Sequence, residues 1–114
     1  NMVMIFGIAI IYAFFIAFIL QVITIHQFGA LGMVGGDPTL AKPSYEAFMT
    51  DYGDNFRTFK HGAFHGFFSG LFFALPVIGT NALFERRSWK YKLVTGGFWI
   101  VCCTIMGAII CGWK

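Results

Sequence analysis

Charged residues are scarce in this 114-residue chain: they make up 11% of it, whereas hydrophobic residues make up 58%. Soluble domains carry charge on about a quarter of their residues, so this composition excludes an ordinary soluble protein. The net charge of +3 is too small to predict a nucleic-acid partner, and half of the eight lysines and arginines lie in one short turn. The composition therefore indicates an integral membrane protein whose surroundings are lipids.

Motifs that carry enzyme chemistry are also missing. The chain has only three cysteines, Cys102, Cys103 and Cys111, without the CxxC spacing typical of zinc or redox sites. It has no Ser-His-Asp order, no phosphate-binding glycine loop and no paired carboxylates in an apolar segment. We therefore expect no enzyme and no cofactor, and we interpret the cysteines as small packing residues.

Long apolar segments predict an all-α fold, a membrane helical bundle of three transmembrane helices in a single domain 1–114. A segment of about 20 apolar residues is long enough to cross a bilayer. The expected order is helix 1 at about 2–26, a loop at 27–54, helix 2 at about 55–84, a positive turn at 85–92 and helix 3 at about 93–113. Pro76 predicts a kink in helix 2, because proline lacks the backbone N–H that a helix needs.

The loop contains the glycine-rich stretch FGALGMVGGDP, which we expect to break helicity. After it, Ser44 is the predicted N-cap of a short interfacial helix that ends at Gly53. Asp54 or Asn55 is the expected cap of helix 2. The loop thus predicts one surface helix between two spans.

Helix 2 carries a ridge of small residues at four-residue spacing: Gly62, Gly66, Gly70 and Ala74. Such a ridge lets membrane helices approach closely. We expect a further helix to cover it, either an upstream span, a second copy of the chain or another subunit. The ridge therefore predicts helix packing, through self-association or with other membrane subunits.

The turn between helices 2 and 3 concentrates positive charge at four membrane-surface positions: Arg86, Arg87, Lys90 and Lys92. Short positive loops stay on the cytoplasmic side of a membrane. We therefore predict a bacterial inner membrane location, with turn 85–92 in the cytoplasm and loop 27–54 on the outer side.

Three histidines are the candidate metal ligands. His61 and His65 stand one helical turn apart, and His26 ends helix 1 on the side where helix 2 begins. Together they predict a metal site with one open position. The same residues also fit three interfacial histidines bonded to loop carbonyls or water. Nearby charges do not decide between these two explanations. Two cations, Arg57 and Lys60, would repel a metal ion, and two carboxylates, Asp51 and Asp54, could offset this repulsion.

The segments NMVMIFGIAI and NALFERRSWK, and the ending MGAIICGW, resemble the bacterial membrane family described as domain of unknown function 1761. The segment HGAFHGFFSGLFFALP is similar to Bacteroidetes-type members. The resemblance implies a small multi-pass protein with no assigned activity or site residues. It also implies one more helix upstream, which agrees with the expectation that a start is missing before Asn1.

The sequence thus favours an uncharacterised multi-pass membrane protein with a structural or accessory role, packed against other membrane subunits or lipids. The alternative is a small-ligand or metal-binding membrane protein or transporter that uses the outer histidine cluster. A polar pocket enclosing the three histidines would favour this alternative.

Overall fold

The computed structural model describes all 114 residues, which form helices and connecting turns with no strand. The predicted all-α fold is confirmed. Six α-helices follow one another in the order α1 (Met2–Thr24), α2 (His26–Met33), α3 (Pro43–Tyr52), α4 (Phe59–Ser69), α5 (Leu75–Phe84) and α6 (Trp89–Gly112). A 3₁₀ turn at Pro38–Leu40 precedes α3, and a π-helical segment at Gly70–Ala74 joins α4 to α5.

Three helical segments are long and apolar enough to cross a membrane: Met2–Thr24, Phe59–Phe84 and Trp89–Gly112. The molecule is elongated, with extents of 55, 29 and 24 Å. A 24-residue helix is about 36 Å long, which exceeds the hydrocarbon thickness of a bilayer. The dimensions therefore suit a bundle associated with a membrane.

The first helix ends at Thr24, two residues before the expected end, because Ile25 is extended at φ −101° and ψ 99°. The chain then re-enters a helix, α2, in the glycine-rich stretch where we expected helicity to break. Glycine lowers helix stability without forbidding a helix. The break comes instead at Gly35 and Gly36, whose φ values of 86° and 84° lie in the left-handed region.

Two helix starts also differ from expectation. Lys42 occupies the cap position of α3, and Pro43 is its first residue, so Ser44 is not the N-cap. Proline suits this position because its φ is already helical and its missing N–H has no helical partner there. The cap of α4 is Thr58, later than expected; its Oγ1 accepts a hydrogen bond from His61 N at 3.2 Å.

The kink at Pro76 stays a prediction, and the structure shows a π-helical segment, Gly70–Ala74, directly before Leu75 and Pro76. Leu75 N donates to Gly70 O, five residues earlier, instead of following the ordinary α-helical spacing. Because Pro76 has no N–H, the helix must change its hydrogen bonding at this place. Helicity nevertheless continues from Phe59 to Phe84.

The most extensive packing in the molecule lies between α4 and α6. A Cβ added at Gly62 or Gly66 would collide with the α6 backbone at Gly107 or Cys103, and one at Gly70 would lie 2.5 Å from Ile100 Cα. The small-residue ridge thus faces α6 of the same chain. A helix from outside the chain is not needed to cover it, contrary to the expectation.

The last helix begins at Trp89, earlier than the expected Leu93, because Ser88 Oγ caps it by accepting from Tyr91 N at 3.1 Å. Before it, α5 ends at Phe84 and is followed by a left-handed Arg86, with φ 55°, and Arg87 N donates back to Ala82 O at 2.8 Å. Half of the positive turn therefore belongs to the first turn of α6.

Candidate metal centre

The three predicted histidines come together at one end of the bundle. Their candidate ligand nitrogens all lie within 4.8 Å of one another. The Nε2 atoms of His26 and His61 are 2.9 Å apart, and the ring centroids of His61 and His65 are 4.4 Å apart. The cluster consists of imidazoles from two helices, α2 and α4.

His26 owes its position to the break between α1 and α2. Thr24 and Ile25 are buried, with 0% and 4% of their surface exposed, so the break itself is fixed in the core. On the other side, Gln27 Nε2 donates to Gly53 O at 2.8 Å and to Asn55 O at 2.9 Å. These contacts tie the start of α2 to the segment that leads into α4, which carries the other two histidines.

The local helix geometry fixes His61 and His65. The i, i+4 spacing places both on one face of α4, and the Thr58 cap orders the first turn around His61 N. Ser69 Oγ donates to His65 O at 2.8 Å. The rings of Phe56 and Phe64 pack beside them, with centroids 5.0 Å from His61 and 5.4 Å from His65 respectively.

Phe56 is a site residue that the sequence does not reveal. Its φ of 62° lies in the left-handed region, which costs a non-glycine residue about 1–2 kcal/mol. Its carbonyl accepts from Thr58 N at 2.9 Å and lies 3.2 Å from Cys111 Sγ. The surroundings thus hold a strained backbone in place next to the cluster, as is common at functional sites. Phenylalanine itself gives no signal of this conformation.

Arg57 and Cys111 connect the site to the end of α6. Arg57 Nε donates to Cys111 O and its Nη2 donates to Trp113 O, both at 3.0 Å. A cation is favourable at the carboxyl end of a helix. Arg57 is therefore engaged by the carbonyls of α6. Cys111 is more than a small packing residue, since its thiol also lies 3.5 Å from Thr24 O.

The arrangement suits a tetrahedral metal ion. Zinc–imidazole bonds of about 2.0–2.1 Å place two ligand nitrogens about 3.3 Å apart. The 2.9 Å pair is already close to this separation, and the widest pair, at 4.8 Å, requires a shift of about 1.5 Å by side-chain rotation. Three imidazoles would leave a fourth coordination position open, and they suit zinc, copper or nickel.

The surroundings of the imidazoles bear on the alternative explanation, in which three interfacial histidines bond to loop carbonyls or water. None of the three side chains hydrogen-bonds to a carbonyl, and the single hydrogen bond among them joins His26 to His61. No carboxylate belongs to the group, so Asp51 and Asp54 do not join it. The imidazoles therefore face one another.

The four positive surface residues lie at the opposite end of the long helix and take no part in this site. Arg87 pairs with Glu85 at 3.2 Å, on the surface, and its guanidinium lies 5.1 Å from the centre of the Tyr91 ring. Lys92 Nζ lies 4.3 Å from the centre of the Trp89 ring, and only 8% of Lys92 is exposed. These contacts are typical of a membrane interface, where aromatic rings and cations share the headgroup level.

Comparison with known proteins identifies the family. The chain belongs to the family described as protein of unknown function (DUF1761), whose model matches residues 1–111. No curated protein and no solved structure matches the chain. The family is one of unknown function.

Proposed function

We propose that this chain is a multi-pass membrane protein that binds a transition-metal ion through His26, His61 and His65. The observation that carries the proposal is the convergence of three imidazoles whose ligand nitrogens lie within 4.8 Å of one another. Imidazole is the commonest metal ligand in proteins when it is neutral. Three such ligands from two helices form a binding site without any charged side chain.

The position of the cluster along the helices supports this role. His26 follows directly after α1, and His61 lies in the first turn of α4, so both stand at the ends of candidate spans. His26 is exposed, whereas the other two are half-buried. An ion can therefore reach the cluster from the aqueous side of a membrane boundary and be held partly away from water.

The test is metal loading of the purified protein in detergent. Cobalt or zinc should bind at about one ion per chain, and His61→Ala combined with His65→Ala should abolish this binding, because one imidazole alone makes a weak site. Binding should also weaken as the pH falls, since protons compete with the metal for the imidazole nitrogens. Calorimetry and metal analysis after dialysis measure both effects.

Lys60→Ala is the matched control, because it alters the residue next to His61 without removing a ligand. This variant should retain one ion per chain. A folded parent protein that binds no more metal than the double-histidine variant would contradict the proposal.

A second candidate function, that of an accessory subunit, is favoured by the exposure of α1. Every residue from Met2 to Tyr12 is exposed, so the rest of the chain leaves much of the surface of this half of the helix uncovered. Between α1 and α5 lies an apolar cleft of about 570 Å³, bordered by Ile16, Phe73 and Trp99. Lipids, a second copy or a helix of another subunit would fill it. Native mass spectrometry separates the two candidates, since it reports bound metal and bound subunits individually.

The proposal includes a location in the bacterial inner membrane, with the positive turn in the cytoplasm and the histidine cluster on the outer side. Four cations at positions 86, 87, 90 and 92 support this orientation, because short positive segments stay inside. The metal would then be bound from outside the cytoplasm.

A further inference from the structure

A pocket of about 460 Å³ lies beside the histidine cluster, between α2 and α3. This volume falls within the range of small-molecule sites, about 300–1,000 Å³. Apolar and aromatic side chains form most of its wall, namely Ala30, Met33, Phe48, Met49, Tyr52 and Phe56. No charged side chain lines it, so it suits an uncharged molecule with an apolar body.

The pocket and the cluster share two residues. His26 and Phe56 both line the pocket, and the centroid of the Phe56 ring lies 6.3 Å from that of His26 and 5.0 Å from that of His61. The strained backbone of Phe56 thus holds its aromatic ring between the pocket and the histidine cluster. A molecule in the pocket would have one end beside His26, one of the proposed metal ligands.

Gln27 supplies a second, independent observation. Its amide nitrogen donates hydrogen bonds to two backbone carbonyls, and these bonds fix the orientation of the amide. Its Oε1 is the only buried side-chain nitrogen or oxygen without a hydrogen-bond partner, and Gln27 lines the same pocket. An unpaired buried acceptor is unfavourable. Because less than 1 Å² of Oε1 is exposed, a ligand N–H group would pair with it after a small shift of the pocket wall and would then remove this cost.

We propose that this pocket binds a small, uncharged aromatic molecule of the azole class, whose nitrogen completes the coordination of the metal. The inference rests on the proposed metal site, because the three histidines leave the fourth position to the ligand. The aromatic body would lie between α2 and α3 against Phe48 and Tyr52, whose ring centroids are 5.0 Å apart. Its N–H would be available to Gln27.

The experiment compares imidazole with 4-phenylimidazole as ligands of the cobalt-loaded protein, using the visible ligand-field bands of cobalt. Both probes offer the same donor nitrogen and N–H group, and only one has an apolar ring to bury. Burial of such a ring is worth about tenfold or more in affinity. We expect 4-phenylimidazole to bind at least about tenfold more tightly than imidazole.

Two glycines of α2 provide a matched pair of variants. A Cβ added at Gly29 or at Gly32 meets nothing within 4 Å, so the helix accepts a side chain at either position. Only Gly29 lines the pocket. Gly29→Leu should reduce the advantage of 4-phenylimidazole over imidazole to near onefold while leaving the cobalt affinity unchanged, whereas Gly32→Leu should retain the advantage.

The outcomes separate the two proposals. Normal cobalt bands with equal affinities for the two probes in the parent would overturn the pocket proposal and leave the metal site standing. An advantage that Gly29→Leu and Gly32→Leu retain equally would also overturn it, because the ring would then bind elsewhere. A parent without cobalt bands would overturn the metal site and the pocket proposal together.

Discussion

At the scale of single residues, a few side chains join segments that are distant in the sequence. Arg57 reaches two carbonyls at the end of α6, and Gln27 reaches two carbonyls in the segment between α3 and α4. Each of these hydrogen bonds joins residues that are 26 or more positions apart in the sequence. The residues between α3 and α4 have no regular hydrogen-bond ladder, so these bonds decide where α4 begins and hence where its histidines lie.

Arg57 provides a stability test of this arrangement. Arg57→Gln removes a charged donor that makes two hydrogen bonds at 3.0 Å, and it should lower the free energy of unfolding by about 1–3 kcal/mol. The metal affinity should fall as well, because Thr58, the cap of the histidine helix, directly follows Arg57. Thermal unfolding in detergent and cobalt titration measure the two effects.

Arg87→Gln is the control for this variant. Arg87 forms the only salt bridge, with Glu85, and its side chain is 54% exposed. Exposed pairs contribute about 0–1 kcal/mol, so this variant should unfold like the parent. Equal stability of the two variants would show that Arg57 does not anchor the segment.

The sequence predicts part of this site and misses the rest for physical reasons. His61 and His65 follow from helical periodicity, and His26 follows from the side of the membrane on which helix 1 ends. Phe56, Arg57 and Cys111 escape prediction because their roles depend on backbone angles and carbonyl positions set by tertiary packing. No local pattern indicates which arginine meets the end of a distant helix.

At the scale of helices, long apolar segments and glycine spacing are predictable, whereas helix boundaries are not. The three helices long and apolar enough to span a membrane follow from length and composition. By contrast, α2 occupies a glycine-rich stretch, and a π-helical segment precedes Pro76. In α2, backbone hydrogen bonding outweighs local propensity, since a glycine costs a helix only about 1 kcal/mol. At Pro76 the missing N–H is accommodated by the π-helical segment directly before it.

The contact between α4 and α6 leads to a packing prediction. A side chain at Gly66 would collide with the Cys103 carbonyl and with Thr104 Cα, both of which belong to the α6 backbone. The helix cannot relieve this by rotating a side chain. Gly66→Leu should therefore destabilise the bundle by about 3 kcal/mol, at the upper end of the usual overpacking cost, and lower its accumulation.

Gly79→Leu is the matched control, since it makes the same change in the same long helix, where an added Cβ meets nothing within 4 Å. It should accumulate like the parent. If Gly66→Leu also accumulated and unfolded like the parent, the close approach of α4 to α6 would not contribute to stability. Quantitative immunoblotting and thermal unfolding give the comparison.

At the scale of the whole molecule, the two ends of the bundle differ in chemistry. One end holds three imidazoles, the aromatic pocket and the engaged Arg57; the other holds the positive turn with Trp89 and Tyr91. The continuous helix from Phe59 to Phe84 separates them by about 39 Å, more than the hydrocarbon thickness. The histidine cluster and the positive turn would therefore face opposite sides of a membrane.

This separation makes the orientation testable with single cysteines. Thr50→Cys places a thiol on exposed α3, at the histidine end, and Glu85→Cys places one in the positive turn while keeping all its cations. On intact cells, a membrane-impermeant maleimide should label Thr50→Cys, and it should label Glu85→Cys only after the cells are opened. The physical reason is the retention of Arg86, Arg87 and the two lysines on the cytoplasmic side.

The native cysteines set the background of this experiment, since Cys103 and Cys111 are buried and Cys102 is half-buried in α6. The parent should therefore label weakly in both conditions. Labelling of Glu85→Cys but not Thr50→Cys on intact cells would reverse the orientation. The metal would then be bound from the cytoplasm, where glutathione and other thiols compete for soft ions, and the ion held by the histidines would have to be drawn from that pool.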